Sequence, residues 1–215
     1  NVCNESKLFL YADDAKLFRH ISCINDVDLL QRDLLDLQLR MDRWLLKLNI
    51  KKCKIVSYGR KINHYYPYYI DKVELEAVDS IKDLGVTFDS KLSFDTHIND
   101  KINRAYSFLG IIKRNFQYLT KDGFLAVYKA MVRSHLEYAG SVWSPHKVSY
   151  IQKLEKVQMR ATKLFYPIRN VSYDGRLRYL NLPTLNYRRV RGDMIAVYKM
   201  ITGLNDNSAI AKLTR

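Results

Sequence analysis

Cysteine is scarce in this chain. Cys3, Cys23 and Cys53 are odd in number and far apart over 215 residues, which excludes a disulfide framework and fits a reducing compartment. His20 and Cys23 have the spacing of half a zinc knuckle, but Cys53 and His64 stand too far apart to complete one. These read as ordinary buried or surface side chains. Apolar runs of the roughly 18 residues that a membrane span needs are missing, so no membrane partner is expected. A charged-then-apolar leader is missing too. The eight glycines fall in neither the Walker nor the dinucleotide pattern, so no glycine loop cradles a phosphate. Ser134, His135 and Glu137 make no nucleophilic triad, because neighbouring side chains on one helix diverge by about 100°.

The most informative shortage is of acid in the second half. Residues 1–100 hold 15 Lys/Arg against 16 Asp/Glu, whereas residues 101–215 hold 21 against 6, giving the net +14. A near-neutral half joined to a strongly basic one implies a site coupled to a surface that holds a polyanion. Nucleic acid is the polyanion this favours, since neutralised phosphates release counterions and give sequence-independent affinity.

What is present begins with Lys7-Leu8-Phe9-Leu10-Tyr11-Ala12-Asp13-Asp14-Ala15-Lys16-Leu17-Phe18. Two short apolar runs flank an Asp-Asp pair, the pattern of a tight β-hairpin with both carboxylates at or beside its turn. Asp is also an ordinary turn residue. Two adjacent acids kept ionised nonetheless ask for water or a hard cation such as Mg²⁺.

Beyond the hairpin, Asn25 or Asp26 is expected to cap a helix running to about Lys47. Its buried stripe would be Val27, Leu30, Leu34, Leu37, Met41, Trp44 and Leu48, with Trp44 in the core. Residues 49–59 read as a strand ended by Gly59, and 60–67 as a polar, Tyr-rich loop. Tyr68–Ile70, Val73–Leu75 and Leu84–Phe88 read as a small meander with Gly85 inside a strand, where glycine marks a bulge or a close approach. From Ser93 the strand signals stop. Helices are expected with Ile98, Ile102, Ala105, Leu109 and Ile112 on one face, then Phe124, Val127, Met131 and Leu136 after a Thr120 cap. Ile151, Leu154, Val157, Ala161 and Leu164 mark a third, and Thr184 caps a last one reaching Gly203. The fold class is α+β, a helix-on-sheet part over 1–92 followed by an all-helical part over 93–215.

On the third of those helices Lys153, Lys156, Arg160 and Lys163 step by three and four away from the apolar stripe. Charge at helical spacing is usually solvated surface. Here only Glu155 is available for compensating pairs on that helix, so the row suits a phosphate backbone. Arg188, Arg189 and Arg191 add cations near the start of the last helix, where the helix dipole disfavours them.

At this point the residues resemble the reverse transcriptases of non-LTR (LINE-type) retrotransposons, in particular the Jockey-like and chicken-repeat-like groups. Tyr11-Ala12-Asp13-Asp14 matches the family's palm motif, Asn49-Ile50-Lys51-Lys52-Cys53 resembles the next one, and Leu84-Gly85-Val86-Thr87-Phe88-Asp89 resembles the primer grip. Leu136-Glu137-Tyr138-Ala139 with Val142-Trp143-Ser144-Pro145, Leu154-Glu155-Lys156-Val157-Gln158 with Arg160-Ala161-Thr162-Lys163, and Arg188-Arg189 through Arg191-Gly192-Asp193-Met194 to Tyr198-Lys199 follow in order.

The resemblance implies an RNA-directed DNA polymerase, a partial palm followed by a thumb-like helical region, transferring nucleotides to a primer 3′-hydroxyl with two Mg²⁺ ions. Asp13, Asp14 and Lys52 would be catalytic, the two Asp as metal ligands and Lys52 to neutralise or protonate pyrophosphate. Tyr11, Ala12, Leu84 and Gly85 would meet the primer; Lys153, Lys156, Arg160, Lys163, Arg188, Arg189 and Arg191 would hold nucleic acid. RNA template, DNA primer and dNTPs are the implied partners, along with N-terminal reverse transcriptase and endonuclease regions of the same polyprotein, in cytoplasm and nucleus. The family's first catalytic carboxylate lies upstream of the acidic hairpin, so the chain reads as a piece of a longer protein. By itself it is expected to be inactive, with an unpaired sheet edge prone to association. The alternative is a degenerate element remnant that binds nucleic acid without catalysis.

Overall fold

The computed structural model describes residues 6–59, 66–116 and 118–204; Cys3, His64 and most of the loop expected over 60–67 lie outside the described residues. They form two compact units. One runs to Asp83 and includes Phe88–Ser93; the other takes Leu84–Thr87 and continues from Phe94. The class is mixed α and β, and among the described residues no helix is long and apolar enough to cross a membrane.

In the first unit, β1 (Lys7–Tyr11) and β2 (Asp14–Phe18) pair antiparallel with Lys7 opposite Phe18 and Tyr11 opposite Asp14. Ala12 and Asp13 are left as a two-residue turn. Ala12 sits at φ 50°, the positive value such hairpin turns demand at their first central residue.

Helix α1 (Ile24–Arg43) has Cys23 as its N-cap, two positions before Asn25, the earlier of the expected caps. Asp26 stands in the first turn, where its carboxylate accepts the Ser22 and Cys23 amides at 2.9 and 3.0 Å, satisfying donors that a helix start leaves orphaned. The helix also stops before Lys47. The Leu46 and Leu45 amides donate to the Met41 and Asp42 carbonyls, a Schellman ending with Leu45 at φ 56° where glycine is usual. That reversal lifts Trp44 and Leu45 off the stripe to 78% and 90% exposure, so Trp44 is a surface residue and not the core residue its spacing predicts.

Val27, Tyr68, Ile70 and Leu75 form the small core of this unit, flanked by half-buried Leu30, Leu34, Leu48, Ile50 and Ile55. The Gln31 amide group docks α1 onto the edge of β4 (Tyr69–Ile70): it donates to the Tyr69 carbonyl at 2.9 Å and accepts the Tyr69 amide at 2.8 Å. The strand expected over 49–59 is mostly irregular. A 3₁₀ turn, Ile50–Lys52, comes first, and only Lys54–Ile55 (β3) is extended. β4 pairs antiparallel with β5 (Val73–Glu74), whereas β3 pairs in parallel with β6 (Glu76–Ala77). The meander is therefore broken into separate ribbons. A strand that the sequence reading lacked, β7 (Ser80–Asp83), partners β8 (Val86–Asp89), which puts Gly85 in their connecting turn and not inside a strand.

The second unit is built on α2 (Asp95–Asn115). Ile98, Ile102, Ala105, Leu109 and Ile112 are all at most 7% exposed, the face the periodicity predicts. Phe94 is the N-cap, in place of Ser93, whose amide and hydroxyl are both taken by the Asp89 carboxylate. Thr120 caps α3 (Lys121–Tyr128) by accepting the Gly123 amide at 3.2 Å. A π-helical stretch, Lys129–Arg133, then leads into α4 (Ser134–Glu137). Because of the wider π turn, Phe124, Tyr128, Val132 and Leu136, four apart, share the deepest positions, and Val127 and Met131 are only half-buried. A short α5 (Gly140–Trp143) buries Trp143.

In α6 (Val148–Thr162), Leu154, Val157 and Ala161 are fully buried, and α7 (Tyr173–Leu180) and α8 (Leu185–Ile201) pack against it. Thr184 caps α8 through the Tyr187 amide at 3.1 Å. The fully buried Gln158 links these helices. Its oxygen accepts from the Tyr128 hydroxyl, and its nitrogen donates to the Tyr173 hydroxyl and the Pro183 carbonyl, each at 3.0 Å. A buried amide is tolerated only when satisfied in this way.

Candidate nucleic-acid site

The acidic turn lies open to solvent. Tyr11 is 62% exposed, and Ala12, Asp13 and Asp14 are exposed as well. β1 is uncovered along its whole length, and Lys16 on β2 is held by Asp83 at 2.6 Å. Asp13 and Asp14 offer hard carboxylate oxygens on consecutive residues, the donor type Mg²⁺ takes one or two of while keeping waters and substrate phosphates. They fit as part of such a site. No group of three His, Cys, Asp or Glu capable of holding a metal forms among the described residues. Lys52 is exposed at the end of the 3₁₀ turn of the same unit, with no hydrogen bond or ion pair to either Asp.

The second element is the turn Leu84-Gly85. Both residues have positive φ, 42° and 81°, as a two-residue type I′ hairpin turn requires. The Leu84 carbonyl accepts the Tyr138 hydroxyl at 2.8 Å, and the Gly85 carbonyl accepts Lys101 Nζ at 3.3 Å. Lys101 also lies over the Tyr138 ring, 5.5 Å from its centroid. A Cβ on Gly85 would stand 3.2 Å from the Tyr138 ring, so the close approach expected of this glycine is made by a side chain. His97 steadies the same turn by accepting the Thr87 amide at 3.1 Å, with its ring edge-on to Trp143, whose indole donates to the Tyr138 carbonyl at 2.7 Å. Sequence reasoning quoted Tyr138 and Trp143 within motifs but gave neither a role, and it missed Lys101 and His97. Hydrogen bonds between residues ten or more apart leave no spacing to read.

The basic face is the third element. Lys153, Lys156, Arg160 and Lys163 are all exposed. Lys153 and Arg160 rest over the rings of Tyr150 and Tyr106, 5.1 and 5.5 Å from their centroids. Glu155, the one acid able to compensate them on α6, is turned inward. Its carboxylate accepts the Tyr173 hydroxyl and the Leu185 and Asn186 amides at the start of α8, the latter two at 3.0 and 3.3 Å. An anion at a helix N-terminus is stabilising, and this placement leaves the row without an acidic partner among the described residues.

The arginines of α8 divide. Arg188 is held by Glu137, the Nη2–Oε2 contact being 3.0 Å. Arg189 is 8% exposed, with none of its three nitrogens hydrogen-bonded among the described residues, and burial lowers its pKa. It is a core residue and not the surface cation the sequence reading expected. Only Arg191 is both exposed and free of a carboxylate partner among the described residues.

Set beside known proteins, the chain is similar to RNA-directed DNA polymerases of two Drosophila transposons. It is 24% identical over 168 residues, 74% of its length, to the probable RNA-directed DNA polymerase from transposon X-element of Drosophila melanogaster. To the probable RNA-directed DNA polymerase from transposon BS of the same species it is 27% identical over 162 residues, 73% of its length. The matched stretch is 18% of either relative, so the chain spans less than a fifth of their length. The uncharacterized protein B0403.1 of Caenorhabditis elegans is 24% identical over 128 residues, 58% of this chain and 65% of that protein. No family model and no solved structure matches.

Proposed function

We propose that this chain is the portion of an RNA-directed DNA polymerase that carries an acidic metal-holding turn and grips the template–primer duplex on a basic helical face. The observation that carries the reading is the exposed row Lys153, Lys156, Arg160 and Lys163 with Glu155 diverted to cap α8. At 1.5 Å per residue the row is about 15 Å long, about the axial span of four to five phosphate-to-phosphate steps on one strand.

Asp13 and Asp14 would hold Mg²⁺, which when bound supplies positive charge to the phosphates of an incoming dNTP. Ala12 is small and uncovered enough for a primer end to approach, the exposed Tyr11 ring beside it can pack against that end, and Lys52 offers a cation for pyrophosphate. RNA template and DNA primer are the partners of the basic face.

The test uses the purified chain and an RNA–DNA duplex. Log affinity should fall with log salt by about 0.9 per phosphate neutralised, and Lys156→Gln with Arg160→Gln should flatten that slope by up to about two while weakening unrelated sequences alike. An unchanged slope in a variant that melts like wild type would reduce the row to solvated surface.

A second reading is favoured by the nematode relative, a short protein in which the matched stretch makes up 65%: a nucleic-acid-binding remnant without catalysis. Asp13→Asn separates the two. In a longer, polymerising protein containing this chain it should cut primer extension by orders of magnitude and spare duplex affinity, because it removes a metal ligand and no phosphate contact. Extension at the wild-type rate would rule out the catalytic role.

A further inference from the structure

At its C-terminal end the α6 row runs into a cleft. The chain leaves α6 through a 3₁₀ turn, Tyr166–Ile168, and returns as α7, and between them lies an open recess of about 520 Å³ whose lining includes Lys163, Arg169, Asn170, Ser172, Tyr173 and Arg176. No carboxylate lines it. Lys163 and Arg169 are exposed and make no ion pair among the described residues. Arg176 is different: it is only 4% exposed, and its guanidinium is fixed in place. Nε donates to the Thr162 hydroxyl at 3.0 Å, Nη1 to the Val171 carbonyl at 2.5 Å and Nη2 to the Met159 carbonyl at 3.4 Å, with the group lying over the Tyr173 ring.

Every one of those acceptors is neutral. Three bonds use three of the five guanidinium N–H groups and leave the charge itself unmatched. A charge taken out of water without a counter-charge is costly. Here it stands at the wall of a recess with two further cations at the rim. The dipole at the start of α7, capped by Ser172 through the Gly175 amide, adds to the same sign.

We infer that this recess is a phosphate seat, the fixed point at which a nucleic-acid strand lying along the α6 row is anchored. The ligand class follows from the chemistry. Guanidinium forks match phosphate oxygens, and a volume of this size admits a phosphate with its attached sugar. Lys163 belongs to both the row and the recess, so the two form one continuous track. The inference rests on the nucleic-acid reading above and refines it by naming where a phosphate is bound in a recess and not merely along an open face.

Inorganic phosphate is the first probe, titrated into the whole chain against chloride at equal ionic strength and followed by backbone amide resonances. Saturable shifts at Asn170, Ser172 and Gly175 are expected in the wild type and in Lys153→Gln/Lys156→Gln. Binding should be about tenfold weaker or worse in Lys163→Gln/Arg169→Gln, which loses two charge-assisted contacts. Both double variants should lose duplex affinity. All four positions are exposed, so folding is spared, and the amide spectrum itself reports it. Phosphate shifts absent in the wild type, or equal in Lys163→Gln/Arg169→Gln, would overturn the seat even if the duplex still binds. Phosphate bound at the recess by a chain with no duplex affinity would instead overturn the nucleic-acid track, and the reading beneath it.

Discussion

Asp26 shows how one side chain can settle a helix start. Its carboxylate accepts the Ser22 and Cys23 amides, and these bonds, ahead of the nearby Arg19 charge, hold its pKa below the ordinary aspartate value of 3.8. A depressed folded pKa means that the stabilisation is complete above that value and disappears as pH falls through the folded one. Asp26→Asn should therefore melt below wild type at pH 7 and draw level with it in strong acid. A gap of constant size across the acid range would show that the negative charge plays no part. Arg189 is the opposite case at the same scale, a buried cation whose three nitrogens find no acceptor, balanced at longer range by Glu155, Glu137 and Asp193. A sequence that is basic throughout its second half gives no sign of which of three neighbouring arginines turns inward. The helix dipole argument singled out all of Arg188, Arg189 and Arg191, whereas only Arg191 is exposed and without a carboxylate partner among the described residues.

At the scale of elements, the stripes were legible where the backbone keeps one period. The α2 face from Ile98 to Ile112 is such a case, and so are the Thr120 and Thr184 caps, because side-chain oxygens three residues before an amide leave a local signature. Legibility fails where the backbone changes course without glycine or proline to announce it. Leu45, left-handed and 90% exposed, ends α1 and strands Trp44 on the surface while the apolar spacing runs on. Leu45→Gly should stabilise the chain by about 1 kcal/mol, since glycine adopts this conformation without the side-chain clash and no buried contact is lost. Urea unfolding checks it; a lower midpoint in the variant would mean that Leu45 earns its place through contacts in the unfolded or associated chain. The parallel pairing of β3 with β6 was also invisible, since a ladder of two residues from each strand, Lys54–Ile55 against Glu76–Ala77, is too short to carry a period.

At the scale of the molecule, burial is uneven. The second, mainly helical unit holds nearly all of the fully buried large side chains, Trp143, Tyr128, Phe124 and Ile98 among them, whereas the β1–β2 ribbon leaves Leu8, Phe9, Leu10 and Tyr11 at 43 to 63% exposure. Amide hydrogen exchange should follow that division, slowest across Ile98–Ile112 and Leu154–Ala161 and fastest in the ribbon, because opening the ribbon uncovers almost no apolar surface. Ribbon amides as protected as those of α2 would show that something covers it in solution. The charge division was open to counting from the start. What counting could not supply is that the single acid of α6 caps another helix, which turns it away from the exposed cations of its own helix.

The π-helical stretch Lys129–Arg133 has a bearing on how related chains compare. A helix that carries one residue more than its regular winding needs has the form of a one-residue insertion absorbed in place: Phe124 and Tyr128 before it and Leu136 after it keep to the same side. Between Tyr128 and Ser134, an alignment of this chain with a relative that lacks the extra residue should therefore open a single gap, with the inward-facing positions on both flanks still in step.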